Sequence, residues 1–134
     1  MSLESTMKTM DAYFSALLNR GDFAKSFSDD VRWTTIESGE EIVGREAVRD
    51  YIASMHTTLF DAHPVLRNVV FGDGIVGGEF EFVGTNTGEF EGAPPTGEEL
   101  RLPYSVFYDV GDRGITALRA YLPIRKIMAV FKAL

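Results

Sequence analysis

The sequence contains no cysteine, so neither a disulfide framework nor a thiolate metal site can contribute to its fold or chemistry. Histidine is nearly as scarce: the two present, His56 and His63, cannot alone build a histidine-rich zinc centre, and neither metal nor cofactor is expected. Basic residues are in deficit, 13 Lys and Arg against 20 Asp and Glu, and the net charge of −7 repels phosphate backbones. Nucleic acid is therefore not an expected partner. No run approaches the roughly 20 apolar residues of a membrane helix, and residues 1–10 lack the basic start and apolar stretch of a secretory signal. A cytoplasmic address without membrane contact is the expectation. Internal repeats and low-complexity tracts are missing as well.

What is present describes one packed domain over residues 1–134: 45% of the residues are hydrophobic and 25% charged, and the length suits a single core. Met7, Met10, Phe14 and Leu17 recur at steps of three and four, which predicts an amphipathic helix ending at Asn19-Arg20-Gly21. Asp22 can cap a short second helix carrying Phe23 and Phe27, and Val31 to Ile36 reads as a strand. After a brief extended piece, Glu41 to Val43, a third helix begins near Gly44. Its apolar stripe is Val48, Tyr51, Ile52, Met55 and Leu59, and His63-Pro64 marks its far boundary. Four strands follow, Val65 to Phe71, Ile75 to Thr87, Leu100 to Val110 and Ile115 to Leu122, joined by glycine-rich turns. Ile124 to Leu134, with Ile127, Val130, Phe131 and Leu134 in helical spacing, closes the chain. Helices first and long antiparallel strands afterwards predict an α+β fold. Strands of about twelve residues, roughly 40 Å, accumulate enough twist to bend the sheet around the N-terminal helices and leave a cavity between the layers.

The turn before Leu100 is the most distinctive stretch. Gly84 to Gly97, GTNTGEFEGAPPTG, resembles the segment G-T-H-T-G-x-F-x-G-x-P-P-T-G of the SnoaL-like polyketide and ester cyclases, in the nuclear transport factor 2-like superfamily. The likeness extends to Gly21-Asp22, Asp29-Asp30-Val31, Gly44-Arg45-Glu46-Ala47-Val48 and Arg119-Ala120-Tyr121, nearly the whole chain. It implies a cone-shaped barrel with a mostly apolar pocket, a homodimer, and cofactor-free action on a small hydrophobic carbonyl compound. It also implies which positions differ. The family's loop histidine falls at Asn86, and its closing acid/base aspartate at Pro123; neither replacement titrates near neutral pH. Alignment with the related ketosteroid isomerases puts Thr35 at their base position and Phe14 at their tyrosine position.

Other residues remain as candidates. Alternation sets Val31, Trp33, Thr35 and Glu37 on one strand face, so Glu37 is a candidate carboxylate base at the cavity mouth, against an exposed glutamate before a turn. His56, at the edge of the third helix's stripe, is a candidate general base, against a histidine satisfied at the core boundary. Arg119 and Tyr121 share a face with Pro123, and Arg119 needs a partner among Glu79, Glu81 and Asp109 if buried. Tyr104 and Tyr108 can orient a ligand or pack the core, and Trp33 offers a flat surface to a bound ring. The expected pocket therefore comprises Trp33, Thr35, Asn86, Tyr104, Arg119 and Tyr121. Three functions fit this reading: a cyclase, isomerase or lyase-like enzyme; a non-catalytic binder of an apolar ligand; and a protein-interaction module using the outer sheet face.

Overall fold

The computed structural model describes residues 2–89 and 91–132, apart from the side chains of residues 130–132. Helix α1, Leu3–Leu18, starts four residues before the expected Met7, because Ser2 and Ser5 form a reciprocal cap on its first turn. Its buried face is Thr6, Met10, Tyr13 and Phe14, while Met7 lies exposed. One 3₁₀ turn, Phe23–Ser26, follows; Asp22 makes no side-chain cap there, and Phe27 is already the first residue of strand β1, Phe27–Thr35. Strand β2, Glu40–Val43, returns antiparallel beside it. Helix α2, Arg45–Ala53, then runs into a single π turn, Ser54–Thr58.

Strand β3, Phe60–Gly72, begins earlier than the sequence suggests, so His63-Pro64 sits inside a strand and does not terminate a helix. The physical reason is consistent with both outcomes: a residue before proline is driven to extended geometry, and an edge strand tolerates a missing N–H. Strands β4, Ile75–Asn86, β5, Glu99–Gly111, and β6, Gly114–Tyr121, complete the sheet, and α3, Ile124–Lys132, follows; Leu134 of the expected closing helix lies outside the described residues.

The strand order is β2-β1-β6-β5-β4-β3. All pairings are antiparallel except β1 with β6, which is parallel and corrects the expectation of a wholly antiparallel sheet. No turn joins these two strands, so no local chemistry could announce their pairing. Register shifts between Phe27 and Arg32, Leu66 and Asn68, and Asp109 and Val110 mark where the ladder bends. The result is the expected α+β cone, a curled open sheet with helices on its inner face.

Two groups of buried side chains fill it. The larger joins α1, β1 and α2 to the sheet through Met10, Phe14, Phe27, Val31, Val48 and Leu118. The smaller gathers Phe60, Phe82, Leu100 and Leu102 under Ile127 of α3. Tyr104 and Leu122 touch both.

Candidate functional site

A cavity lies where the two groups meet. It holds about 60 Å³, and its wall takes Trp33, Tyr51 and Ile52 from one side, Phe80, Phe82, Tyr104 and Tyr108 from the sheet, and Leu122, Pro123 and Ile127 from the C-terminal segment. Strand alternation explains the sheet side: Phe80 and Phe82 share one face of β4, and Tyr104, Val106 and Tyr108 share the matching face of β5. Phe80 stacks on Tyr104 at 5.2 Å between ring centres, which fixes both rings. The volume is well below the roughly 300–1,000 Å³ of pockets for drug-sized ligands.

The polar groups of the wall are few and nearly all protein-bonded or phenolic. The Trp33 indole N–H donates to the Thr35 hydroxyl at 2.8 Å, and Thr35 also bonds the Tyr51 phenol. This chain of contacts holds the indole ring against Tyr51, 5.2 Å away. Burial pushes the phenols of Tyr13, Tyr104 and Tyr108 far above the usual tyrosine range; the charge of Tyr104 would add to the effect on Tyr13, and both would add to that on Tyr108. At neutral pH these side chains are O–H donors.

His56 is the one wall residue able to act as a base near neutral pH. Its Nδ1 lies 2.7 Å from the Ile52 carbonyl oxygen, which can only accept, so Nδ1 carries the proton and Nε2 carries the lone pair. That Nε2 is buried without a hydrogen-bond partner, the only such side-chain atom among the described residues. Burial lowers the imidazole's proton affinity first; the bond to Ile52 opposes this, and the Arg20 guanidinium, with any charge on His63, lowers it further. The ring is 5.8 Å from Phe82. His56 is thus neutral, fixed in one tautomer, and presents an unused acceptor.

Several residues expected in the pocket stand elsewhere. Asn86 is 0% exposed but does not line the cavity. Its amide donates to the carbonyls of Leu59, at 2.8 Å, and Gly88, at 3.2 Å, while its oxygen accepts from the N–H and hydroxyl of Thr96 at 2.7 and 3.1 Å. It pins both ends of the glycine- and proline-rich loop to Leu59, just past the π turn. Gly88 completes that junction, because a Cβ there would collide with the Thr58 carbonyl oxygen. Arg119 points to the outer face of the sheet, in a two-pronged pair with Asp109 at 2.7 and 3.0 Å. Tyr121 lies on that face too, 48% exposed. Glu37 falls past the end of β1, so the alternation that buries Val31, Trp33 and Thr35 no longer governs it; it is exposed, 3.6 Å from Arg125. Phe14 is packed in the core against Phe80 and Tyr108, and its neighbour Tyr13 lines the cavity.

Trp33, Thr35 and Tyr104 are brought together, with only Thr35 held back behind the indole it anchors. Sequence reasoning passed over Tyr13, Tyr51, Phe80, Phe82 and Met55 as site residues. Alternation and helical spacing had put most of them on inward faces, but could not tell solid core from cavity wall.

The profile of the SnoaL-like domain matches residues 10–118. The chain belongs to the SnoaL-like domain family. No curated protein matches this family member. Among solved structures it is similar to a protein from Jannaschia sp. CCS1 described as a SnoaL-like polyketide cyclase, with 18% identity, a TM-score of 0.82, and 96% of this chain and 92% of that one covered. A Xanthomonas campestris pv. campestris protein described as a polyketide cyclase gives 23% identity and a TM-score of 0.79 over 96% of this chain and 98% of that one. A Kribbella flavida protein described as a ketosteroid isomerase gives 20% and 0.71 over 90% and 79%. At these identities the SnoaL-like domain shares the fold with its neighbours, and its own side chains must supply any argument about chemistry.

Proposed function

We propose that this SnoaL-like domain binds a small, largely apolar carbonyl compound in the interior cavity and moves a proton next to the carbonyl without a cofactor, His56 being the base. The observation that carries the proposal is the buried, unpartnered Nε2 of a histidine whose other nitrogen is already committed. An acceptor left bare in an apolar site is costly, and a ligand proton relieves that cost. In the proposed step the C–H bond breaks as Nε2 takes the proton, and the electron pair moves onto the carbonyl oxygen. A wall phenol among Tyr13, Tyr104 and Tyr108 donates to that oxygen, since these groups stay protonated. Where the substrate carries a double bond one carbon beyond the deprotonated carbon, return of the proton to the far end of that double bond, as the electron pair re-forms the carbonyl and the double bond shifts into conjugation with it, gives isomerisation.

The same reading assigns the outer sheet face to a second copy of the chain. Val70, Phe107 and Tyr121 form an exposed apolar stripe across it, the first two meeting over Gly77, where a Cβ would lie 3.0 Å from the Phe107 ring and 3.4 Å from Val70.

The test is deuterium exchange, followed by proton NMR, at the carbon beside the carbonyl of simple aryl ketones in D₂O, with binding monitored by the fluorescence of Trp33, the single tryptophan. Exchange by the native protein and its loss in His56→Gln is the expected result. Binding without exchange would remove the catalytic step and leave a ligand-binding protein; no binding by any ketone would remove the proposal and favour an interaction role for the outer face.

A further inference from the structure

The cavity does not stand alone. A second cleft, of about 240 Å³, opens between the end of α1, the α2 and π-turn segment, and β3. Leu17 and His56 line both spaces, so these two side chains form the partition. The cleft is several times the size of the cavity and, unlike it, carries basic side chains among its apolar walls. Arg20, Arg49, His63 and Thr57 supply its polar lining, and no carboxylate is among its wall residues. In a chain with a net charge of −7 this gathers two guanidinium groups at one cleft, with their carboxylate partners standing outside its wall.

The arginines are placed and still available. Arg20 adopts a left-handed backbone, φ 55°, just past α1, and its guanidinium donates to the Ala62 carbonyl at 2.9 Å, which holds the head group beside β3. Its carboxylate partner, Asp61, lies 3.0 Å away and is 73% exposed. Arg49 pairs with its chain neighbour Asp50, at 3.1 Å and also in solvent. Exposed pairs of this kind hold weakly, so an entering anion can replace them. The influence of this charge reaches the partition, since Arg20 and His63 both lower the proton affinity of His56.

We propose that the ligand is an amphiphilic carboxylate, with a small apolar body in the inner cavity and an anionic end in the outer cleft against Arg20 and Arg49. This rests on the reading of the cavity given above and adds the substrate class to it. The cavity alone is too small for most ligands, and a molecule continuing past Leu17 and His56 enters a space whose polar side chains suit a carboxylate. His56 then contacts the molecule at the join between its two halves.

The experiment compares 4-phenylbutanoate with its methyl ester, titrated against the full chain by Trp33 fluorescence. The acid should bind about tenfold more tightly than the ester, and raising NaCl to about 0.5 M should erase most of that preference. Arg49→Gln, and separately Arg20→Gln with folding checked by thermal melt, should each reduce the acid's advantage while the ester serves as the internal reference. The salt titration needs no variant, so it decides the matter even if Arg20→Gln unfolds. Equal binding of acid and ester by the native chain overturns the carboxylate assignment and leaves the cavity reading intact. Failure of both to bind overturns the two together.

Discussion

At the scale of single residues, two polar side chains differ in a way their types do not reveal: one has its bonding capacity filled by the chain and the other does not. Asn86 is spent on backbone partners on both sides of the long loop. Replacing it by Ala leaves the Thr96 N–H without its acceptor and removes one of the donors to the Leu59 carbonyl, and should destabilise the fold by about 1–3 kcal/mol; urea denaturation measures this, and a change near zero would refute the pinning role. His56 has the converse character. Its folded-state proton affinity is lowered, so below a pH of about 6.5 the unfolded chain takes up a proton that the folded chain still refuses. Stability contributed by neutral His56 is full above that pH and is lost as pH falls from there towards the depressed folded value. Melting temperature should therefore drop across this window in the native protein, and the drop should flatten in His56→Leu. A native profile with no slope there would sink the assignment.

At the scale of elements, the site depends on segments that the sheet does not itself hold. α3 closes the cavity with Ile127, buried between Phe82 and Leu102 in the smaller core group. Truncating Ile127 to Ala should cost about 2 kcal/mol or more in stability and enlarge the cavity, so that bulkier ketones gain affinity relative to small ones. A uniform loss for all ligands would instead mean that α3 is merely frayed. The loop of β4 and β5 is fastened to the end of the π turn by the close approach of Gly88 to Thr58. Gly88→Ala should separate that junction and lower the melting temperature, whereas Gly92, with open space around its Cβ position, is limited only by its left-handed φ of 84°.

At the scale of the molecule, the curled sheet has two faces of different kinds. The inner one meets the helices and leaves the cavity; the outer one carries Val70, Phe107 and Tyr121, at 68%, 39% and 48% exposure. An uncovered apolar stripe across four strands predicts self-association, and the native chain should sediment as a dimer at micromolar concentration while Phe107→Glu sediments as a monomer. A monomeric native chain would assign that face to some other partner. No helix of the described residues is long and apolar enough to cross a membrane, and no group of three or more metal-binding side chains comes together among them.

The sequence by itself determined the periodicities: the hairpins of β3 to β6, the inward rows of aromatics, the helical stripes and the family loop at Gly84 to Gly97 follow from neighbours a few positions apart. Only the tertiary structure decided the parallel pairing of β1 with β6, the turning of Arg119 and Tyr121 to the outer face, the retirement of Asn86 into a loop clasp, and the bare nitrogen of His56. The physical reason is locality. Backbone geometry repeats every two or 3.6 residues and is written along the chain, but whether one buried atom finds a partner depends on segments brought together from far apart, across bulges that the local pattern does not announce.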